Sequence, residues 1–561
     1  MDSLENGATI TSCSSSNLSN PLQVEGDGIG DIEEFHHRVD SRIYDLECEI
    51  RTLKTRRNAA TVTCRLPAEL LSKIFLSLYY MSSHNLKDTV SKRVDWLLCT
   101  FVCRRWRDVA LSCTELWTTP IFAKPALAET MLARSKDAPL RIKFNGKAEE
   151  PSEALFKALS QLNRLRSVEL EEVITGSSQI QEMLSSWTGR APLLTTLGLY
   201  NATTTSHTFP IDFLQGGTPS LKTLLLSKWG NTWENLPIGP TITNLVMIGS
   251  PANLPRRPTQ AAFVSCLKRL PFLVGLTVIN QMLPGREDAV VLPPNKLHPP
   301  NLRYLSVGDP LWNVNFFFRL LQVPRETKLG LLFSGIDNLD MLEEIIDNAG
   351  VFATKGSSTF HNSQESIGYM SVRGSPAPGC PRVALWTQGR PSNFDAPPDH
   401  FFDFRLGSDD RGRAVFRLLN YLVLDSLRTF HVKSFHLMSK SQWRTTLGQL
   451  PNLEGVCLEQ GPLQEWLEIL RYDPPTDPLG NWAENGERHF PGLIQMAFKA
   501  MDLGNEKAET LRLLVQVLKE RSTDPSFKMD VYFAKCPDPN NNYGKLKQAT
   551  EGLNVNWSFF P

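Results

Sequence analysis

The chain has no net charge, no long apolar run and no familiar catalytic motif, and each lack removes a class of function. Lys+Arg and Asp+Glu balance at 59 each over 561 residues. The basic footprint that draws proteins to phosphate backbones is missing, so nucleic acid is not an expected partner. No stretch approaches the roughly 20 apolar residues that a bilayer span needs. The opening MDSLENGATITSCSSSNLSN is polar and serine-rich where a secretory signal is basic and then apolar. No membrane is therefore expected, and the expected location is cytoplasmic and/or nuclear. Ten cysteines are scattered along the chain, which reads as reduced, intracellular usage. Cys99 and Cys103 lie four apart, but no CxxC pair or histidine at finger spacing accompanies them. They are expected to be buried thiols, and no metal is expected.

GxSxG, P-loop, HExxH and kinase signatures are all absent. No cofactor is expected, and the chain is not expected to be an enzyme. GDGIGD at 26–31 is glycine-rich, but no strand precedes it and its aspartates would repel a phosphate. The best titratable cluster is Asp399-His400 with Asp403, Asp409 and Asp410. A carboxylate beside a histidine suits acid–base or metal chemistry, so an α/β enzyme built on this chain would have its site near 395–410. No spacing brings these groups onto one surface, and a solvated acidic loop is the plainer reading. His36 and His37 point different ways around a helix. Trp229 and Trp233 would make an aromatic anchor or, as expected here, pack inside.

What is present begins with Leu66 to Trp117. It opens LPAELLSKIFLSLYY and closes VDWLLCTFVCRRWRDVALSCTELW. A proline stands at the first turn of a helix marked by Leu70, Leu71, Ile74, Phe75 and Leu78. Trp96, Leu97, Thr100, Phe101, Arg104 and Val109 mark a second helix, with Val102, Cys103, Trp106 and Ala110 on an adjoining stripe. Helices this apolar cannot cover one another within about 50 residues. The order LPxELLxxIF, VCRxWRxxA, LW resembles an F-box. The resemblance implies a small helical module that docks a substrate receptor onto the Skp-type adaptor of a cullin–RING (SCF) ubiquitin ligase. It implies adaptor contacts by Leu66, Pro67, Leu70, Ile74, Phe75, Val102 and Trp106. The usual short link is replaced by Tyr79 to Arg93, as in F-box-like variants of filamentous basidiomycete fungi. Leu116 and Trp117 are expected to lock the module onto the first repeat.

Before this module, Ile32, Phe35 and Val39, then Ile43, Leu46, Ile50 and Leu53, form a heptad-like stripe with a one-residue skip. Asp31 can cap that helix, and Lys54, Arg56 and Arg57 suit its C-terminal end. The helix either pairs with a second copy through 31–57 or folds back on the module.

After Trp117 an LxxLxL pattern recurs: LRSVEL (165–170), LTTLGL (194–199), LKTLLL (221–226), ITNLVM (242–247), LVGLTV (273–278) and LRYLSV (302–307). Echoes appear at LRTFHV (427–432), LEGVCL (453–458) and LIQMAF (493–498). Each alternates as a strand does. Helix-like stretches such as SEALFKALSQL, QAAFVSCLKRL and ETLRLLVQVLKER lie between them, and a proline often stands just upstream of the strand. A strand and a helix every 20 to 30 residues or so is solenoid rhythm. It resembles a degenerate leucine-rich repeat array, which implies a protein-binding surface for an unknown target. A doubly wound α/β domain is the competing architecture.

Residues 1–30 are expected to be disordered, 31–60 to form the amphipathic helix, and 61–120 to form the F-box-like domain. Residues 121–350 are expected to be solenoid, 351–413 a Pro/Gly/Ser-rich insertion with short strands, and 414–561 the solenoid's continuation and cap. The fold class is α+β with a repeat: a small helical F-box-like module, then an irregular α/β leucine-rich-repeat-like solenoid. The function implied is an F-box-type receptor, or a non-catalytic interaction scaffold outside ubiquitin ligation.

Overall fold

The computed structural model describes residues 29–560 except for internal segments. Those of five residues or more are 83–92, 172–176, 202–208, 250–256, 286–295, 355–365, 375–379, 388–396, 472–488 and 502–507. The expected disordered N-terminus and most of the long polar link at 79–93 therefore lie outside the described residues. The rest falls into two compact units that divide between Cys113 and Thr114.

The first unit is helical. Helix α1 (Ile29–Ala59) runs longer than the expected 31–57. Helix α2 (Ala68–Ser82) begins behind Pro67, whose carbonyl accepts from the Leu70 and Leu71 amides. The second expected helix is broken in two: a 3-10 segment (Asp95–Phe101) precedes α3 (Arg104–Ser112). Cys103 between them is fully extended, at φ −159° and ψ 171°. The Thr100 hydroxyl turns back to the Leu97 carbonyl, and Arg107 Nε donates to the Thr100 carbonyl at 2.9 Å. These bonds serve backbone oxygens that a continuous helix would have used itself.

The second unit opens with Leu116 and Trp117, both buried, and Arg134 of helix α4 (Pro125–Ser135) stacks 4.6 Å over the Trp117 ring. By packing they fall in this unit. Among the described residues a sheet of sixteen strands comes next. Its first half is β1 (Leu140–Asn145), β2 (Leu165–Glu171), β3 (Thr196–Tyr200), β4 (Thr223–Ser227), β5 (Asn244–Ile248), β6 (Gly275–Ile279), β7 (Tyr304–Asp309) and β8 (Lys328–Phe333). These lie side by side in chain order, all parallel. All nine LxxLxL patterns run into strands, and every one of their marked positions is buried. The ladder Ile142, Val168, Leu197, Leu224, Leu245, Leu276, Leu305, Leu329 stacks one residue per strand. Stacking in register lets neighbouring strands complete one apolar layer that none could close alone.

The interval 351–413 is part of the same sheet. Strands β9 (Tyr369–Gly374), β10 (Pro381–Trp386) and β11 (His400–Phe404) enter in the order β8-β11-β10-β9, and β12 (Thr429–Lys433) pairs with β9. Among the described strands β10 alone runs against the rest. Parallel order then resumes through β13 (Gly455–Glu459), β14 (Gln495–Lys499), β15 (Met529–Ala534) and β16 (Val555–Phe560). The segments SSTFHNSQES and GRPSNFDAPPD of that interval fall largely outside the described residues. Helices α5 (Glu153–Leu159), α6 (Ser177–Ser185), α7 (Gln260–Lys268), α8 (Leu311–Leu320), α9 (Asp340–Ala349), α10 (Ser408–Tyr421), α11 (Lys440–Leu447), α12 (Leu463–Leu470), α13 (Ala508–Arg521) and α14 (Asn542–Ala549) link strands. One buried apolar cluster runs from Phe122 to Leu546. Trp229 and Trp233 belong to it, 4.9 Å from Phe209 and Phe263 respectively, so they are core and not an anchor.

A recurrent turn marks the strand ends. Lys228, Asn280, Gln460, Ala500 and Lys535 each come directly after a strand and each has a positive φ, between 51° and 59°. Their amides extend the ladder, as Lys228 N to the Ile248 carbonyl and Ala500 N to the Ala534 carbonyl. Non-glycine residues rarely adopt this region, so its repetition is a structural period that composition hides.

Candidate interaction surface

On α2 the side chains divide by face. Leu71, Phe75 and Tyr79 are buried, whereas Leu70, Ile74 and Leu78 are 46, 43 and 43 % exposed. The two sets differ by one residue, about 100° around a helix. Phe75 lies 5.2 Å from the ring of Trp106 on α3, and Tyr79 meets Trp96 edge-on at 5.8 Å. Arg105 Nη2 donates to the Leu66 carbonyl at 2.7 Å, tying the start of α3 to the start of α2. The 3-10 segment packs beside α2 and presents Leu98 and Phe101, with Val102 just beyond it, at 67, 73 and 58 % exposure.

The residues that resemblance assigned to the adaptor therefore separate. Pro67, Leu70, Ile74 and Val102 are exposed, and Leu66 and Trp106 are half-buried. Phe75 is the correction: at 0 % exposure it holds the unit together and cannot meet a partner. Leu78, Leu98 and Phe101 join the exposed set. Leu98 carried no signal, because the expected continuous helix gave it no distinct face; the 3-10 turn that exposes it is a tertiary result.

Residues 63–123 match the family model described as F-box-like. The chain carries an F-box-like domain. No curated protein matches the chain. F-box domains in general bind Skp-type adaptors of cullin–RING ligases and serve there as substrate adaptors. The exposed apolar residues lie within the F-box-like match. Exposed large apolar side chains gathered on one small module, unlike singly scattered ones, point to an interaction site.

The acidic cluster near 395–410 has structural partners. Asp399 pairs with Lys328 at 2.8 Å and accepts from the Thr387 amide, which holds its carboxyl below the ordinary range despite partial burial. His400 is buried in the core ladder between Leu329 and Leu385. Its Nδ1 accepts from the Leu329 amide at 3.1 Å, and burial pushes the imidazole down to about 4. Asp403 is fully buried in a two-pronged pair with Arg382 at 2.6 Å, and Arg382 rests 4.6 Å over Phe401. Asp410 pairs loosely with Arg413 at 3.7 Å, and the Asp409 side chain lies outside the described residues. Asp399, His400, Asp403 and Asp410 are thus held by separate partners.

Among the described residues no three metal-ligating side chains cluster. Cys99 is buried, and its thiol is pushed up to about 11 by burial. Cys103 lies 3.6 Å from Cys64, sulfur to sulfur. His36 and His37 are exposed on α1. On the sheet face away from the core, Glu459 takes His431 Nε2 at 3.2 Å, Lys433 at 2.9 Å and Lys499 at 3.3 Å. Hydrogen bonds from His431, Lys433 and Lys499 hold its carboxyl far below the ordinary range.

Proposed function

We propose that this protein is a substrate receptor of a cullin–RING ubiquitin ligase. The F-box-like domain docks on a Skp-type adaptor, and the second unit, read as an irregular leucine-rich-repeat-like solenoid, binds the target protein through its outer strand face. The observation that carries this is the run of six exposed apolar side chains on the F-box-like domain: Leu70, Ile74, Leu78, Leu98, Phe101 and Val102. Soluble proteins rarely gather exposed apolar side chains in this way unless a partner covers them.

The solenoid reading is supported by the chain-order parallel strands and the stacked LxxLxL ladder. A doubly wound sheet reverses its strand order at a switch point, and β1 to β8 do not. On this reading the chain is not itself an enzyme. It speeds ubiquitin transfer by raising the local concentration of target lysines near a recruited conjugating enzyme, and it works in the cytosol or nucleus. The long link at 79–93 groups it with the fungal F-box-like variants.

The test is direct binding of the full chain to a purified Skp-type adaptor, followed by co-purification of a cullin. Micromolar or tighter binding is expected; no measurable association refutes the receptor reading. Stabilisation of a co-purified target when the adaptor is depleted separates a receptor from a scaffold.

A further inference from the structure

Helix α1 carries a second apolar face. Ile32, Ile43, Leu46, Ile50 and Leu53 are 42–55 % exposed, and Val39 is half-buried. The apparent skip in their spacing is filled by His36. Ile32, Val39, Leu46 and Leu53 stand one heptad apart at d, and His36, Ile43 and Ile50 stand at a. Isoleucine at a with leucine at d, as in Ile43/Leu46 and Ile50/Leu53, favours two parallel strands, and one polar a residue fixes the register.

The flanks select the orientation. Arg42 and Glu49 occupy g, and Glu47 and Lys54 occupy e. In a parallel in-register pair, Arg42 faces Glu47 of the partner subunit, and Glu49 faces Lys54 of the partner subunit. Both contacts join opposite charges, and symmetry doubles them. The antiparallel pair that keeps the same layers joins e to e and g to g. It matches Arg42 with Glu49 of the partner subunit and Glu33 with Lys54 of the partner subunit but sets Asp40 against Glu47 of the partner subunit, whereas the parallel pair contains no like-charge contact. Within the helix, Arg51 and Glu47 already pair at 2.7 Å and leave this arrangement intact.

We infer that the protein forms a parallel, in-register homodimer through residues 32–53 of α1. The occupant of this face is a second copy of the same chain. The inference is independent of adaptor binding, since α1 shares no residue with the F-box-like match.

Sedimentation equilibrium of the full chain at micromolar concentration tests it, with the adaptor absent. Twice the monomer mass is expected, and Ile43→Asp with Ile50→Asp should return the chain to monomer with an unchanged melt of the sheet. Leu53→Cys, treated with oxidised glutathione, should give a disulfide-linked dimer that the wild-type chain does not form. A monomer throughout overturns the inference. So does a dimer that survives the double aspartate change, and so does a dimer in which Cys at 53 fails to cross-link, since only the parallel register brings the two copies of that position together.

Discussion

Neighbouring residues on α2 should respond to mutation in opposite ways, and that is the sharpest test of where the adaptor sits. Ile74 is 43 % exposed, so an adaptor can still remove a little under half of its surface from water. Full burial of such a side chain contributes about 1.5–3 kcal/mol, so the remaining share is worth ~1 kcal/mol. An aspartate there would also bury an unpaired carboxylate, costing ~2–3 kcal/mol more. Together Ile74→Asp should weaken adaptor binding by ~3–4 kcal/mol, or two to three orders of magnitude in Kd. In the unbound chain the same change sits on the surface and should shift stability by no more than about 0.5 kcal/mol.

Phe75→Ala should do the reverse. It empties a fully buried site against Trp106 and should cost about 3–5 kcal/mol of folding stability. Adaptor titration calorimetry reads the first quantity. Amide exchange of α2 peptides reads the second, because local opening follows local stability. Ile74→Asp should lose binding with α2 protection intact, and Phe75→Ala should lose protection. Wild-type affinity in Ile74→Asp would refute the assignment of the face. For the same reason Trp106→Asp is a poor probe of binding, and Phe101→Asp, at 73 % exposure, is the better second site.

Three further outcomes rest on contacts inside the two units. Asp309, fully buried, pairs twice with Arg257 at 2.8 and 2.9 Å, yet burial still holds its carboxyl above the ordinary range. A raised acid subtracts from stability where it is charged and stops doing so as pH falls through its folded pKa. Arg257→Met should therefore cost about 3–5 kcal/mol near neutral pH, shrinking in acid, as urea midpoints at several pH values will show; a pH-independent loss contradicts this. Cys103 is pushed up by burial, so its alkylation by iodoacetamide, followed by peptide mass, should be slower than that of a free thiol at neutral pH and rise steeply in base. A rate equal to a free thiol's would contradict the burial. At Gly330 an added Cβ would lie 2.4 Å from the Phe401 ring; Gly330→Val should cost the ~1–3 kcal/mol of stability that overpacking costs, read as a lower melting midpoint, and Phe401→Ala on the same chain should recover part of it.

The strand positions of the second unit were legible because alternation and stacking demand the same residues. Leu224 and Leu245 are apolar in sequence for the reason they pair in register in the sheet. Other elements left weaker traces. The cap of α11 was written as Ser439 and Gln442, whose side chains bond each other's backbone, but no apolar repeat drew attention to it. The order of β9, β10 and β11 had no local sign, because which strand pairs with β8 depends on where the chain returns. The positive-φ turns after the strands were hidden too, since Lys228, Gln460 and Ala500 share a conformation and no chemistry. In the helical module the split was between pattern and face. Spacing located α2, but a helix buried on one side and apolar on two leaves periodicity unable to separate Phe75 from Ile74.

That limit also explains the failed acidic cluster. Asp399, His400 and Asp403 are close in sequence because a strand begins there, and a strand sends successive side chains to opposite faces. His400 enters the apolar ladder, while Asp403 goes to the other face and meets Arg382. Proximity along a strand therefore argues against a shared site unless the residues are two apart, and even Phe401 and Asp403, which satisfy that, are both held by Arg382. On the sheet face away from the core, Arg382 and Glu459 are already neutralised by partners in this chain. If the proposed target binds on this face, it meets satisfied charges, and Lys433→Ala or Lys499→Ala should change which protein co-purifies while the thermal melt of the sheet stays unchanged.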